Sequence, residues 1–362
     1  MKKNLFFVAA AALMLASCSN DVKLDENIVP VGSNKQQEIS FFALSQKAHR
    51  KPAAAVTDNV FPTAYHFLIA AYAVDAAGDY FGKTDYANET SNTWSGVAGQ
   101  KRYWPLSPET LNFLAVTKSD ADGSNTTFGA GEPLANFASK AVVVLADNRT
   151  TQHDLMYSFA RAAVTKDGNH LAFNGGSNVA MAFAHTQALV NFTVKAADAA
   201  TAGAGIVVTG IELKQAVYNG TATVTLSNYN SKTLDLAATL AWDGTAYSGA
   251  TKYDVDVTSI SNIAVNSQDA IAAGDGLMIV PNPTKTAEVL NPSFTTFVVS
   301  YTLNGHDYTF EYTPTDAQKR MEPGHKYNFN ITFTLSEIKV NATVTDWTEG
   351  AIPVAIPEPA EP

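Results

Sequence analysis

Ile338-Lys339-Val340-Asn341-Ala342-Thr343-Val344-Thr345-Asp346-Trp347 is the cleanest alternation in the chain. Ile338, Val340, Ala342 and Val344 have one parity, and Lys339, Asn341, Thr343 and Thr345 the other. Successive side chains of a strand point to opposite faces, so the stretch reads as one strand with an apolar stripe. A stripe needs a sheet to cover it. Periodicity leaves open whether this one completes its own C-terminal domain or is donated to another molecule, with Trp347 closing it in either case.

Working outward, alternating or short apolar runs predict further strands at 65–74, 111–117, 141–145, 179–195, 206–214, 222–226, 276–280, 294–303 and 327–335. Gly, Asn and Asp clusters separate them at irregular intervals, which fits sandwiches with decorated loops better than a solenoid. Only 16% of the 362 residues are charged, while Thr, Ala, Val and aromatic residues are plentiful. That balance favours half-buried pleated strands, and no segment sustains a 3.6-residue period, so the expected class is all-β with few, short helices. The length suits two domains, each with its own core. The crossing is expected near 179, where Ala180, Ala182 and Ala184 alternate with Met181, Phe183 and His185 and the pattern runs on through Val194. The predicted division is therefore 38–178 and 179–350, followed by a tail, 351–362, rich in proline.

The N-terminus carries a different signal. Lys2 and Lys3 precede an apolar run from Leu5 to Leu15, and Leu15-Ala16-Ser17-Cys18 has the form of a lipobox. The run is too short for a membrane span, which needs about 20 apolar residues. Residues 1–17 are thus expected to be a lipoprotein signal peptide, with Cys18, the only cysteine, carrying palmitate-type acyl chains in place of a disulfide. Residues 18–37, polar and without a period, are expected to be a flexible spacer. The formal net charge of −10 becomes −12 once Lys2 and Lys3 leave, which argues against nucleic acid or an anionic membrane surface as a partner.

Ile39-Ser40-Phe41-Phe42-Ala43-Leu44 follows the spacer and reads as a strand buried on both faces. It is joined to the rest by Gln46-Lys47-Ala48-His49-Arg50-Lys51-Pro52, a basic, turn-prone link with trypsin-like cleavage points at Lys47, Arg50 and Lys51. If Ile39, Phe41, Phe42 and Leu44 are buried, losing them forfeits about 1.5 to 3 kcal/mol per side chain. A domain is only about 5 to 15 kcal/mol stable in total. A cut chain would hold an open apolar groove, and a substitute strand could fill it through main-chain bonds and alternate side-chain pockets.

Five places carry a resemblance to a known family: the lipobox at Cys18; Tyr103-Trp104-Pro105 followed by Leu111-Asn112-Phe113; Asp154-Leu155-Met156-Tyr157; Phe183-Ala184-His185; and Gly324-His325-Lys326-Tyr327 followed by Ile338 to Trp347. In this order the chain resembles the fimbrillins of Bacteroidales, the subunits of type V pili, including the Mfa-like branch. The resemblance implies two transthyretin-like β-sandwich domains in tandem and export to the outer membrane as a lipoprotein. It also implies cleavage by an arginine-specific protease, for which Arg50 is the best-matching position, and assembly with other fimbrial subunits by strand exchange. Ile338, Val340, Ala342 and Val344 are then donor-strand candidates, alongside the tail.

Signatures of catalysis are missing from the sequence. No Gly-x-Ser-x-Gly elbow, P-loop or dinucleotide fingerprint occurs, and the seven histidines show no metal-ligand spacing. Asp120-Ala121-Asp122-Gly123 lacks the acids of a calcium loop and reads as a turn. No cofactor or metal is expected. Asp75, Asp79, Asp85 and Glu89 are acids of expected loops, a thin basis for glycoside hydrolysis. His185 is expected to be a hydrogen-bonded core residue. The rival to a fimbrial subunit is a monomeric surface lipoprotein that binds glycans or host ligands through the 80–94 region, with Tyr86 and Trp94 as an aromatic platform.

Overall fold

The computed structural model describes residues 28–30, 37–45, 61, 63–90, 93–118, 124–128, 139–145, 153–167, 170–174, 178–243, 252–255, 260, 262–270, 276–281, 293–315, 321–346 and 354–355. In chain order the first strands are β1 (Ile28–Pro30), β2 (Ser40–Ser45), β3 (Phe67–Ala73), β4 (Gly78–Thr90), β5 (Thr93–Gly96) and β6 (Glu109–Thr117). Next come β7 (Thr126–Phe128), β8 (Lys140–Leu145), β9 (Met156–Asp167), β10 (His170–Asn174), β11 (Asn178–His185) and β12 (Ala188–Ala196). A one-turn helix, α1 (Ala199–Ala202), leads to β13 (Val207–Lys214), β14 (Gly220–Ser227), β15 (Ala237–Asp243), β16 (Lys252–Val255), β17 (Gln268–Asp269) and β18 (Leu277–Ile279). The last strands are β19 (Thr296–Leu303), β20 (His306–Tyr312), β21 (His325–Phe333), β22 (Ile338–Asp346) and β23 (Val354–Ala355). The protein is all-β, as its composition requires.

The first half is a ring rather than an open sandwich. Its largest sheet runs β1-β10-β9-β11-β2-β5-β4-β3-β6, and β6 also pairs with β9. Seven strands therefore close on themselves in the order β9-β11-β2-β5-β4-β3-β6, leaving β10 and β1 as an extension of β9. Closure removes edges that would otherwise template aggregation. Phe67, Ile69, Ala71, Leu111, Phe113, Ala115, Met181 and Phe183 point inward with Trp94 and Trp104. The opposite face of the same β3 and β6, through Leu68, Ala70, Leu114 and Val116, packs on a second sheet ordered β15-β14-β8-β7.

That second sheet crosses the expected domain boundary. β8 belongs to the first half of the chain and β14 to the second, yet they pair over Lys140–Leu145 and Gly220–Thr225. Arg161 of β9 adds a clamp: its guanidinium donates to Asn112 Oδ1 at 2.8 Å and to the carbonyls of Ser231, Lys232 and Leu234. Lys232 forms an ion pair with Asp75. A cut at 178/179 would divide one sheet.

The remainder of the second half is a sandwich. A sheet ordered β17-β12-β21-β22-β23, with β18 also on β12, faces a sheet ordered β16-β13-β19-β20. Phe192, Phe294, Phe297, Phe329, Ile331 and Phe333 fill the space between. The segment 179–195, expected as one continuous strand, is broken at Thr186-Gln187. Thr186 N and Oγ1 both donate to Leu155 O, and Trp242 Nε1 donates to Thr186 O at 2.7 Å, so the bend is bonded from both halves.

Candidate functional site

β2 is the residue-level centre of interest because the ring closes through it. Ile39, Phe41 and Ala43 are fully buried in the barrel core, whereas Phe42 and Leu44 on the other parity are only half-buried. The expectation of a strand buried on both faces is corrected: among the described residues no layer covers its outer face as the barrel covers its inner one. Phe41 makes edge-on contacts with Phe67, Tyr86 and Phe113 at 5.0 to 6.0 Å between ring centroids.

The backbone of β2 is held unequally on its two sides. Six residues, Ser40 to Ser45, run parallel to Asn178 to Phe183 of β11. On the other side β5 meets only Phe41 and Phe42, through Trp94 and Thr93, and the segment ahead of β2 is bridged by Ile39 N to Arg102 O and Trp104 N to Gln37 O. Ser40 Oγ donates to Asn178 Oδ1. Tyr86 Oη donates to Ile39 O at 3.3 Å, and Lys101 Nζ lies 2.7 Å from Glu38 Oε2. Gly96 lets the chain turn beside this site, since a Cβ there would lie 2.6 Å from Gln100 O.

Tyr86 and Trp94 do not form an exposed platform. Both are fully buried in the ring, and burial, with the nearby Glu38 charge, pushes the Tyr86 phenol far above its usual range. Trp94 Nε1 donates to Tyr65 O at 3.2 Å. The region 80–94 is not a loop: Gly78–Thr90 is the longest strand of the described residues, paired with β3 on one side and β5 on the other. The aromatic surface for the glycan-binding alternative is thus absent at Tyr86 and Trp94. Two of the acids weighed for hydrolysis have structural partners: Asp85 binds Lys118 Nζ at 2.6 Å and His66 Nδ1 at 3.0 Å, and Asp75 accepts from Thr110 N at 2.9 Å.

The apolar stripe Ile338, Val340, Ala342, Val344 lies in β22, which pairs along its whole length with β21 and packs on the sandwich core. In this state it completes the protein's own sheet. Val354–Ala355 of the tail, where prolines argue against a central ladder, forms the two-residue edge strand β23 on β22. Pro30 likewise sits in an edge strand, β1, which pairs with β10 although 18–37 was expected to be spacer. Cys18, Lys47, Arg50, Lys51 and Trp347 lie outside the described residues, as does the signal segment 1–17. His185 is buried, with Nδ1 2.9 Å from Asp154 Oδ1. Among the described residues no three His, Cys, Asp or Glu are placed to hold a metal ion.

Residues 32–347 match the family model described as fimbrillin-like. The chain belongs to the fimbrillin-like family. The match spans the ring, the shared sheet and the sandwich. A fimbrial protein from Bacteroides vulgatus superposes on this fimbrillin-like chain with a TM-score of 0.51 at 16% identity, covering 79% of this chain and 94% of that one. A cell-adhesion candidate from Bacteroides uniformis aligns at 17% identity and TM-score 0.47 over 86% of this chain and 99% of that one. A fimbrial assembly protein from Parabacteroides distasonis aligns at 10% identity and TM-score 0.39 over 90% of this chain and 100% of that one. Only the first likeness is close enough to speak for the fold. A comparison with curated proteins finds no match. Family membership places the protein among cell-surface fimbrial proteins and suggests a structural rather than a catalytic role.

Proposed function

We propose that this fimbrillin-like protein is a fimbrial subunit exported as a lipoprotein through Cys18, cut at Arg50, and assembled when another subunit's strand replaces β2. Lys47 and Lys51 are the alternative cut points. The observation that carries the reading is the position of β2. Its inward side chains are core, its removal opens a closed ring, and its covalent link to the body passes through the basic segment 46–52. Burial of Ile39 and Phe41 alone is worth about 3 to 6 kcal/mol, comparable with the stability of a whole domain, so an empty site would demand a replacement. Main-chain pairing supplies affinity for such a strand, and the pockets of Ile39 and Phe41 supply selectivity.

The test uses protein beginning at Ser19, treated with trypsin across a range of protein concentrations while N-terminal mass and particle size are followed together. Cleavage at Arg50 followed by loss of the leader and growth into SDS-resistant ladders is expected at the higher concentrations. Full cleavage with the leader retained and no growth at any concentration overturns strand replacement. The triple variant Lys47→Ala, Arg50→Ala, Lys51→Ala is expected to stay a monomer, and polymer from it would remove this link from the mechanism.

A further inference from the structure

We propose that the outer face of the sheet β12-β21-β22 binds a linear polysaccharide with sparse carboxylates, of the uronic-acid class. The argument starts from parity. Phe192, Val194, Phe329, Ile331, Val340 and Ala342 fill the sandwich core, so the residues between them on the three strands face away from it. Strand register lines these outward residues up in rows. One row is Lys195, Thr332 and Lys339, and the next is Thr193, Asn330 and Asn341. The third is Asn191, Asn328 and Thr343, and Lys326, beside Thr345, closes the far end. Lys339 and Asn341 are exposed and the others half-buried, except Thr193, which is buried.

Asparagine is a poor strand former, yet four stand on this one face. A face that meets only water would be served by threonine and lysine. Asparagine adds a donor and an acceptor on one planar group, which matches a sugar hydroxyl that both donates and accepts. The amides are held in place: Thr193 Oγ1 donates to Asn330 Oδ1 at 2.7 Å, and Asn328 Nδ2 donates to the same oxygen at 2.8 Å. Charge then selects an acidic chain. The protein carries −10 overall, but these rows hold three lysines and no carboxylate. At their margin are Asp269, paired with Thr193, and Glu337, 3.1 Å from Lys339 Nζ with both side chains more than half exposed. An exposed pair of that kind is weak and leaves Lys339 able to exchange partners. Charges beyond about 8 Å are largely screened at physiological ionic strength, so acids elsewhere in the chain count for little here. Adjacent strands lie about 4.7 to 4.9 Å apart, which sets Lys195 and Lys339 about 10 Å apart across Thr332. Lys326 is about 20 Å from Thr332 along β21. Lysines so widely spaced, with no arginine among them, suit isolated carboxylates better than dense sulfate or phosphate, which guanidinium forks would grip.

The test uses the uncut chain from Ser19, so its outcome is independent of strand replacement. The probe is hyaluronan coupled to agarose, with dextran-agarose as the neutral reference and dextran sulfate-agarose as the densely charged one. Wild type should be retained on hyaluronan at low salt at least tenfold more than on dextran. The variant Lys195→Gln, Lys326→Gln, Lys339→Gln should lose that retention. The equal charge change Lys140→Gln, Lys166→Gln, Lys214→Gln, on other sheets, should keep most of it. Asn341→Ala with Thr343→Ala should weaken retention about three- to tenfold with every lysine in place. Thermal unfolding of each variant separates lost binding from lost fold, and if the triple variant melts early, the exposed Lys339→Gln alone should still weaken retention about threefold. No retention of wild type on hyaluronan, or equal loss in the two lysine triples, would overturn the proposal. Unchanged retention of the Asn341, Thr343 variant would reduce the face to a cation exchanger and overturn the polysaccharide site, and stronger retention on dextran sulfate than on hyaluronan would overturn the carboxylate class.

Discussion

Phe41 and Phe42 are neighbours in sequence with opposite fates, and their difference is the sharpest residue-scale consequence of the ring. Phe41→Ala empties a site lined by Phe67, Tyr86 and Phe113 and should cost about 3 to 5 kcal/mol, whereas Phe42→Ala, on the half-buried face, should cost under about 1.5 kcal/mol. Denaturant titration of both variants reads this directly. Tyr327 gives a pH signature. Burial raises its phenol to about 12 from an ordinary 10, and Glu322 N donates to its oxygen at 2.7 Å. The folded state then holds a proton that the unfolded chain releases, so the stabilisation is complete below pH 10 and lost as pH rises toward 12, about 2 to 3 kcal/mol in all. The stability gap between wild type and Tyr327→Phe should narrow across that interval. At this scale the sequence misled at Trp94. It sits among polar residues, and nothing local announces that β5 lies beside β2, far earlier in the chain, with the indole inside.

Among elements, those with an uninterrupted local signal were legible. β22 spans the alternation at 338–345 almost residue for residue, and β3, β6, β8, β13 and β14 lie within a few residues of their predicted runs. β4 was not legible because Gly78, Asp79, Gly82, Lys83, Asp85, Asn88 and Glu89 are poor strand formers. Pairing on both sides, with register shifts near Ala71 and Asn88, overrides that composition. The strand β2 was legible as apolar, but its parallel partner, 138 residues away, was not. An element-scale prediction follows from its bonding. After a cut at Arg50, β1 and β2 leave only together, since both precede the cut, and the pairings to β10, β11 and β5 remain. Gel filtration of the cut protein below the growth threshold should show the leader eluting with the body, and its spontaneous loss would show that the ladder is weaker than its register implies.

For the whole molecule, the shared sheet decides how the two halves behave. Because β8 pairs with β14 and Arg161 holds the 231–234 segment, the halves should unfold in one calorimetric transition, where independent tandem domains would give two. Arg161→Ala leaves Asn112 Oδ1 and three carbonyls without their charged donor and should lower stability by about 1.5 to 3 kcal/mol. Pairings of this kind, between strands far apart in the chain, carry no local pattern, which is why a sheet shared across the expected boundary was not legible. The end of β22 has a further consequence. Asp346 pairs with His325, and the adjacent Gly324 N donates to Gln187 O at 2.8 Å, just past the end of β11. The end of β22 is therefore tied to the Thr186-Gln187 bend that joins the ring to the sandwich. A pull on the chain beyond Asp346 thus loads the ring and the sandwich at once, so force applied there should rupture the two together rather than one after the other.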